Sequence, residues 1–131
     1  MDNKMGKKIC FESIGWVENQ FDERTVPDTI TAKVSNIFIR ADLVQGLQGL
    51  KIGSKILVLF HFDRSQGYEL LQHPRGDKKR PKRGVFALRS PNRPNAIGAT
   101  MVDLVAIEGN MLTVRGLDAI NNTPVIDIKP A

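Results

Sequence analysis

Residues Ala99–Arg115, ATMVDLVAIEGNMLTVR, decide how the chain is to be folded. Met101, Asp103, Val105 and Ile107 alternate with Val102, Leu104 and Ala106, and a period of two puts the two sets on opposite faces of a strand. Gly109-Asn110 supplies a tight turn and Met111–Arg115 runs back, so the stretch reads as a β-hairpin. Working outward, the same short alternation recurs. Ile9, Phe11, Ile14 and Trp16 suggest a first strand, with a bulge or break after Phe11. Ala32, Val34 and Ile37–Ile39 suggest a second, and Lys55–Phe62 (KILVLFHF) a third, central one with apolar residues on both faces. Ala41–Leu50 has room for one helical turn before Gly46 and Gly49 interrupt it. Tyr68–Gln72 is expected to pair back against the third strand across Asp63–Gly67, and Pro124–Ile128 forms a last strand after the Asn121-Asn122 turn. Seven or so short strands with at most one or two short helices predict a mainly β fold, a single domain over residues 1–131 built as a curved sheet or β-barrel.

Composition sets the outer bounds. The 131 residues, 41% of them apolar, suffice for one core. No run approaches the roughly 18 apolar residues of a membrane span, and Met1–Lys8 is too polar for the core of a signal peptide, so a soluble, cytoplasmic protein is expected. The lone Cys10 reads as a buried small hydrophobe, with a reactive thiol as the alternative, and Trp16 and Tyr68 read as core or interface aromatics. No His/Cys spacing suits a metal, His73 included.

The net charge of +5 is concentrated. Between Arg75 and Arg93, eight Lys or Arg face the single acid Asp77, so this stretch is basic while the rest of the chain is slightly acidic. That is the footprint of a polyanion site, with Lys78, Lys79, Arg80, Lys82 and Arg83 as the candidate RNA-binding residues. A solvated, mobile loop over His73–Arg83 is the other reading of the same composition.

Gly84–Thr100, GVFALRSPNRPNAIGAT, carries the chemistry. Pro91 and Pro94 fix φ and remove donors, so Ser90–Asn95 should form a stiff loop between two strands. Arg89 and Arg93 offer forks for a carboxylate or phosphate, and Asn92 and Asn95 can both donate and accept toward a base or ribose. The alternative is a surface turn whose arginines pair with local acids. Neither a Walker loop nor a Rossmann glycine pattern is present.

These residues resemble the TsaA-like (TrmO-type) family, which includes tRNA methyltransferases acting on threonylcarbamoyladenosine beside the anticodon. In that family a strand ending F-H leads to G-V-F-x-x-R-S-x-x-R-P-N-x-I-G, and the domain closes with L-D and T-P-V-x-D-I-K-P. This chain shows Phe60-His61, Gly84–Gly98, Leu117-Asp118 and Thr123–Pro130, a match that runs from about Phe11 onward.

The resemblance implies a β-barrel methyltransferase that holds S-adenosylmethionine near the interface of a homodimer and acts on tRNA. Carried onto matching positions, it assigns the cofactor to His61, Phe62, Arg89, Ala99, Gly116, Leu117 and Asp118. Ser90, Arg93, Asn95 and Gly98 belong to the same motif and line or brace the cleft. Side-chain chemistry agrees. Phe62 and Phe86 suit adenine or the sulfonium, Arg89 the carboxylate, and Asp118 the ribose or ammonium. The acceptor nitrogen of a carbamoylated adenine has a delocalised lone pair, so a base helps; Asp118 is the first candidate and His61 the second. Asp127 and Lys129 are placed to pair on the last strand.

Longer members of the family carry a further C-terminal domain and a P-R-Q element, where this chain ends at Ala131 and reads TVPDT over Thr25–Thr29. A methyltransferase of another RNA or a small molecule, and a non-catalytic RNA-binding barrel, therefore stand as alternative functions.

Overall fold

A computed structural model describes residues 5–21 and 33–131. Ala32 and the Thr25–Thr29 element lie outside the described residues. The strands are β1 (Gly15–Glu18), β2 (Val34–Ile39), β3 (Lys55–His61), β4 (Leu71–Gln72), β5 (Arg83–Gly84), β6 (Ile97–Glu108), β7 (Met111–Arg115) and β8 (Pro124–Pro130). Six of them close a barrel in the order β1-β2-β7-β6-β3-β8, while β4 and β5 form a separate two-stranded ribbon. Helical structure among the described residues is limited to 3-10 turns at Ala41–Leu47, Pro74–Gly76 and Val85–Ala87. The mainly β fold predicted from alternation is the one observed.

Alternate residues fill the barrel. Val17, Ile37, Ile56, Val58, Leu112, Val114 and Val125 are all completely buried, each from the inward phase of its strand. Two irregularities let so few strands close. Pairing shifts by one residue between Leu104 and Ala106 of β6, and again between Leu59 and Phe60 of β3, and such bulges sharpen local bending. The close packing also fixes two glycines. A Cβ on Gly15 would overlap the Phe38 carbonyl, and one on Gly98 would lie 2.5 Å from the Phe60 ring and 2.9 Å from Phe62. On the outer face Lys55 and Asp103, directly opposite in register, pair at 2.7 Å. The expected Lys129–Asp127 pair forms at 3.0 Å.

Several expectations fail, and for related reasons. Leu71–Gln72 pairs with Arg83–Gly84, not with β3, because β6 and β8 already occupy both edges of β3. The first strand starts only at Gly15, where β2 and β8 offer partners, and Ile9, Phe11 and Cys10 are exposed. Cys10 is therefore not a buried hydrophobe. Trp16 is 40% exposed and stacks on Phe38 at 5.5 Å on the outside of the barrel, and Tyr68 is 54% exposed, so neither is a core residue. The basic stretch His73–Arg83 is solvated from Arg75 onward, as its composition suggests, and it holds a 3-10 turn, with the His73 Nδ1–H donating to the Arg80 carbonyl at 2.8 Å.

Candidate functional site

After β3 the chain leaves the barrel as a strap, residues 66–83, and returns through the loop 88–96 into β6. One fully buried residue anchors the return: Val85 is 1% exposed and its N–H donates to the Leu70 carbonyl at 2.8 Å. Between strap and loop lies an open cleft of about 1250 Å³.

The loop is stiff for reasons beyond its prolines. Arg93 donates to the carbonyls of Leu88 at 2.9 Å and Ser90 at 3.1 Å, and the Ser90 hydroxyl accepts from the Asn92 N–H at 3.1 Å. Arg89 donates to the Ala99 carbonyl on β6 at 2.9 Å, which fixes its guanidinium relative to the barrel. Both arginines thus bond backbone carbonyls; the surface-turn reading, in which they pair with acids, is not what these bonds show. Arg93 is committed to bracing, whereas Arg89 keeps further N–H donors beyond that one bond.

Asp118 reaches the same cleft from the other end of the sequence. Its neighbours Leu117 and Ala119 are buried at 0% and 7% exposure, which anchors the bend on either side of it. Asn19 reinforces the bend: its side-chain amide donates to the Ala119 carbonyl at 2.9 Å and to the buried Ser35 hydroxyl at 3.0 Å.

Of the residues singled out in the sequence, Arg89, Ser90, Asn92 and Asp118 line the cleft together with Lys78, Arg80, Lys82 and Arg83. Lys79 is the one strap cation of that set outside the lining. His61, Phe62, Phe86, Arg93, Asn95, Gly98, Ala99, Gly116 and Leu117 do not line it. Ala99 contributes its carbonyl to Arg89, and Gly98 gives up a side chain to the Phe60 and Phe62 rings, which meet edge to face at 5.1 Å. Leu117 is core, and Phe86 is 78% exposed. His61 is exposed at the end of β3, so the histidine the cleft does receive is His73.

Arg75, from the basic stretch, lines the cleft too, as do Tyr68, read in the sequence as a core or interface aromatic, and Glu69 and Gln72, to which the sequence assigns no site role. No local pattern marks these last two, because their placement follows from how the strap docks. The lining balances Arg75, Lys78, Arg80, Lys82, Arg83 and Arg89 against Glu69 and Asp118, a strong cationic excess. Such a cleft attracts an anionic ligand and also offers a carboxylate for an ammonium, a hydroxyl or a proton. Among the described residues no group of His, Cys, Asp and Glu is placed to hold a metal, and no helix is long and apolar enough to cross a membrane.

Comparison with known proteins agrees with the motif. The family model for the tRNA-methyltransferase O N-terminal domain matches residues 17–131. A probable S-adenosyl-L-methionine-binding protein of Methanocaldococcus jannaschii is 47% identical over 100 residues, covering 73% of this chain and 78% of that protein. The tRNA (adenine(37)-N6)-methyltransferase of Rattus norvegicus is 35% identical over 133 residues, covering 93% of this chain but only 30% of its own length. A crystal structure of TrmO superposes with a TM-score of 0.74 at 30% identity, covering 95% of this chain and 58% of that one. TrmO from Pseudomonas aeruginosa gives 0.71 at 29% identity, with 95% and 56% covered. By sequence, by barrel and by motif, the chain belongs to the TrmO family of TsaA-like proteins.

Proposed function

We propose that the cleft between strap and loop binds S-adenosylmethionine, and that the protein is an S-adenosylmethionine-dependent methyltransferase acting on the exocyclic nitrogen of threonylcarbamoyladenosine beside the tRNA anticodon. One observation carries this reading. Arg89 and Asp118, far apart in sequence, line a single cleft whose other charges, Glu69 apart, are cationic.

The residues fit the donor. Its carboxylate suits the Arg89 guanidinium, held at a fixed angle by the Ala99 carbonyl. Its ammonium or ribose diol suits the Asp118 carboxylate, and Tyr68 and Leu88 supply less polar wall. When bound, the donor brings a methyl group already activated on a sulfonium. The chain's remaining work is positioning and proton removal. As the acceptor nitrogen bonded the methyl carbon and the carbon–sulfur bond broke to leave a neutral thioether, Asp118 would accept the proton that nitrogen loses. Lys78, Arg80, Lys82 and Arg83 hold RNA phosphates near the same cleft, where a drug-sized donor would fill only part of the about 1250 Å³. The same reading includes a cytoplasmic homodimer with the donor near its interface, as the family resemblance implies.

The test is methyl transfer from labelled donor to tRNA that does or does not carry threonylcarbamoyladenosine, alongside calorimetry with the donor alone. Incorporation into the modified tRNA only is the expected result. Label on other RNAs, with none on this one, would replace the acceptor. Salt-sensitive RNA binding with no heat from the donor would leave an RNA-binding barrel without catalysis.

A further inference from the structure

The strap and the loop both line the cleft, and one lining side chain joins them. Gln72, on β4, donates from its amide nitrogen to the Glu69 carbonyl at 2.7 Å and to the Asn92 carbonyl at 2.6 Å. Both partners are carbonyl oxygens, which only accept, so the amide must present its nitrogen and both of its N–H groups are used. The first bond stays within the strap, whereas the second crosses to the loop. Asn92 is itself tied back to Ser90, which Arg93 also holds, so a force on the Asn92 carbonyl acts on the braced unit rather than on one residue. At its other end the unit is fastened to the barrel by Arg89 on Ala99.

Resting on the reading that this cleft holds the methyl donor, we propose that Gln72 is a positioning residue: it sets the distance between the basic wall that holds RNA and the Arg89 loop that holds the donor. It touches neither substrate's reacting atoms and acts through Asn92. Methyl transfer is sensitive to such spacing, because an error of about 1 Å in the approach of two bound reactants costs about a hundredfold in rate. The ribbon it belongs to has only two residue pairs, Leu71 with Gly84 and Gln72 with Arg83, and so has little stiffness of its own.

Two variants of the full chain test this. Gln72→Leu keeps approximate shape and loses both donors; Gln72→Glu keeps the shape and turns a carboxylate toward two carbonyls. Each is expected to lower kcat/KM for modified tRNA by about tenfold or more, part of the roughly hundredfold that a full 1 Å error would cost, with the larger part in kcat. Amide exchange at Asn92 and Arg93 should quicken while β1, β3 and β6 exchange as before, and the melting temperature should stay close to that of the parent. Parent kinetic constants in Gln72→Leu would overturn the proposal. So would a loss of activity that tracks faster exchange throughout the barrel, since that is a general structural defect. A parent protein that gives no heat with the donor defeats the proposed function instead. In that case unchanged exchange at Asn92 and Arg93 in Gln72→Leu would still defeat the clamp.

Discussion

The barrel and the strap-loop unit are held together by different physics. In the barrel, fully buried aliphatics from six strands interlock, and each strand has hydrogen-bonded neighbours on both sides. In the strap and loop, Val85 and Pro74 are the buried residues between 63 and 97, and order comes from side chains bonded to backbone carbonyls: Gln72, His73, Arg89 and Arg93. A structure stiffened by single polar bonds can be retuned one residue at a time without endangering the fold. The candidate cleft sits entirely on that second kind of scaffold, apart from the bend at Asp118.

If the division is real, variants in the two regions should fail differently. The largest effect is expected in the barrel: Phe60→Ala, at a site 1% exposed, should cost about 3–5 kcal/mol in chemical unfolding, since it leaves a cavity among fixed neighbours. Donor affinity should fall in that variant only in proportion to unfolding. Next comes Arg89→Ala, which should weaken donor binding about a hundredfold by calorimetry, near 2.7 kcal/mol, while the melting temperature hardly moves. A parallel fall in stability would erase the distinction between regions.

Smaller is the effect of neutralising Lys78, Arg80, Lys82 and Arg83 together. It should flatten the dependence of log RNA affinity on log salt by about 0.7–0.9 for each phosphate left without its cation, with donor binding nearly intact. Lys79→Ala, outside the cleft lining, should change the slope least. The smallest effect is a pH effect on the barrel's surface. Lys55 bonds Asp103 and lowers its carboxyl below the ordinary 3.8. The stabilisation is present above that value and disappears as acid protonates the carboxyl through its lowered folded value. Asp103→Asn should therefore melt slightly below the parent at neutral pH, and the gap should close in strong acid and in high salt.

The two regions also differ in how far the sequence discloses them. Alternation locates the hairpin because Val102 and Leu104, and Leu112 and Val114, answer one core, and that is a local signal. The bulge between Leu104 and Ala106 is a closure requirement and leaves no local mark. Leu70 and Leu71 read as sheet because they are apolar, yet they are 61% and 59% exposed, since the strand meant to receive them has no free edge. Arg89 and Asp118 are legible as chemistry, since a guanidinium just ahead of a proline-stiffened loop and an acid after Gly116-Leu117 are unusual where they stand. Gln72 is not, because its meaning depends on a carbonyl twenty residues away that only docking brings near.

The seam of the barrel lies where Gly15 and Trp16 meet Val125 and Pro124. These partners come from the first and the last of the six barrel strands in chain order, so β1 keeps one open edge until β8 is in place. Closure is then a long-range contact, and until it forms the open edge of β1 is a template for pairing with a wrong strand.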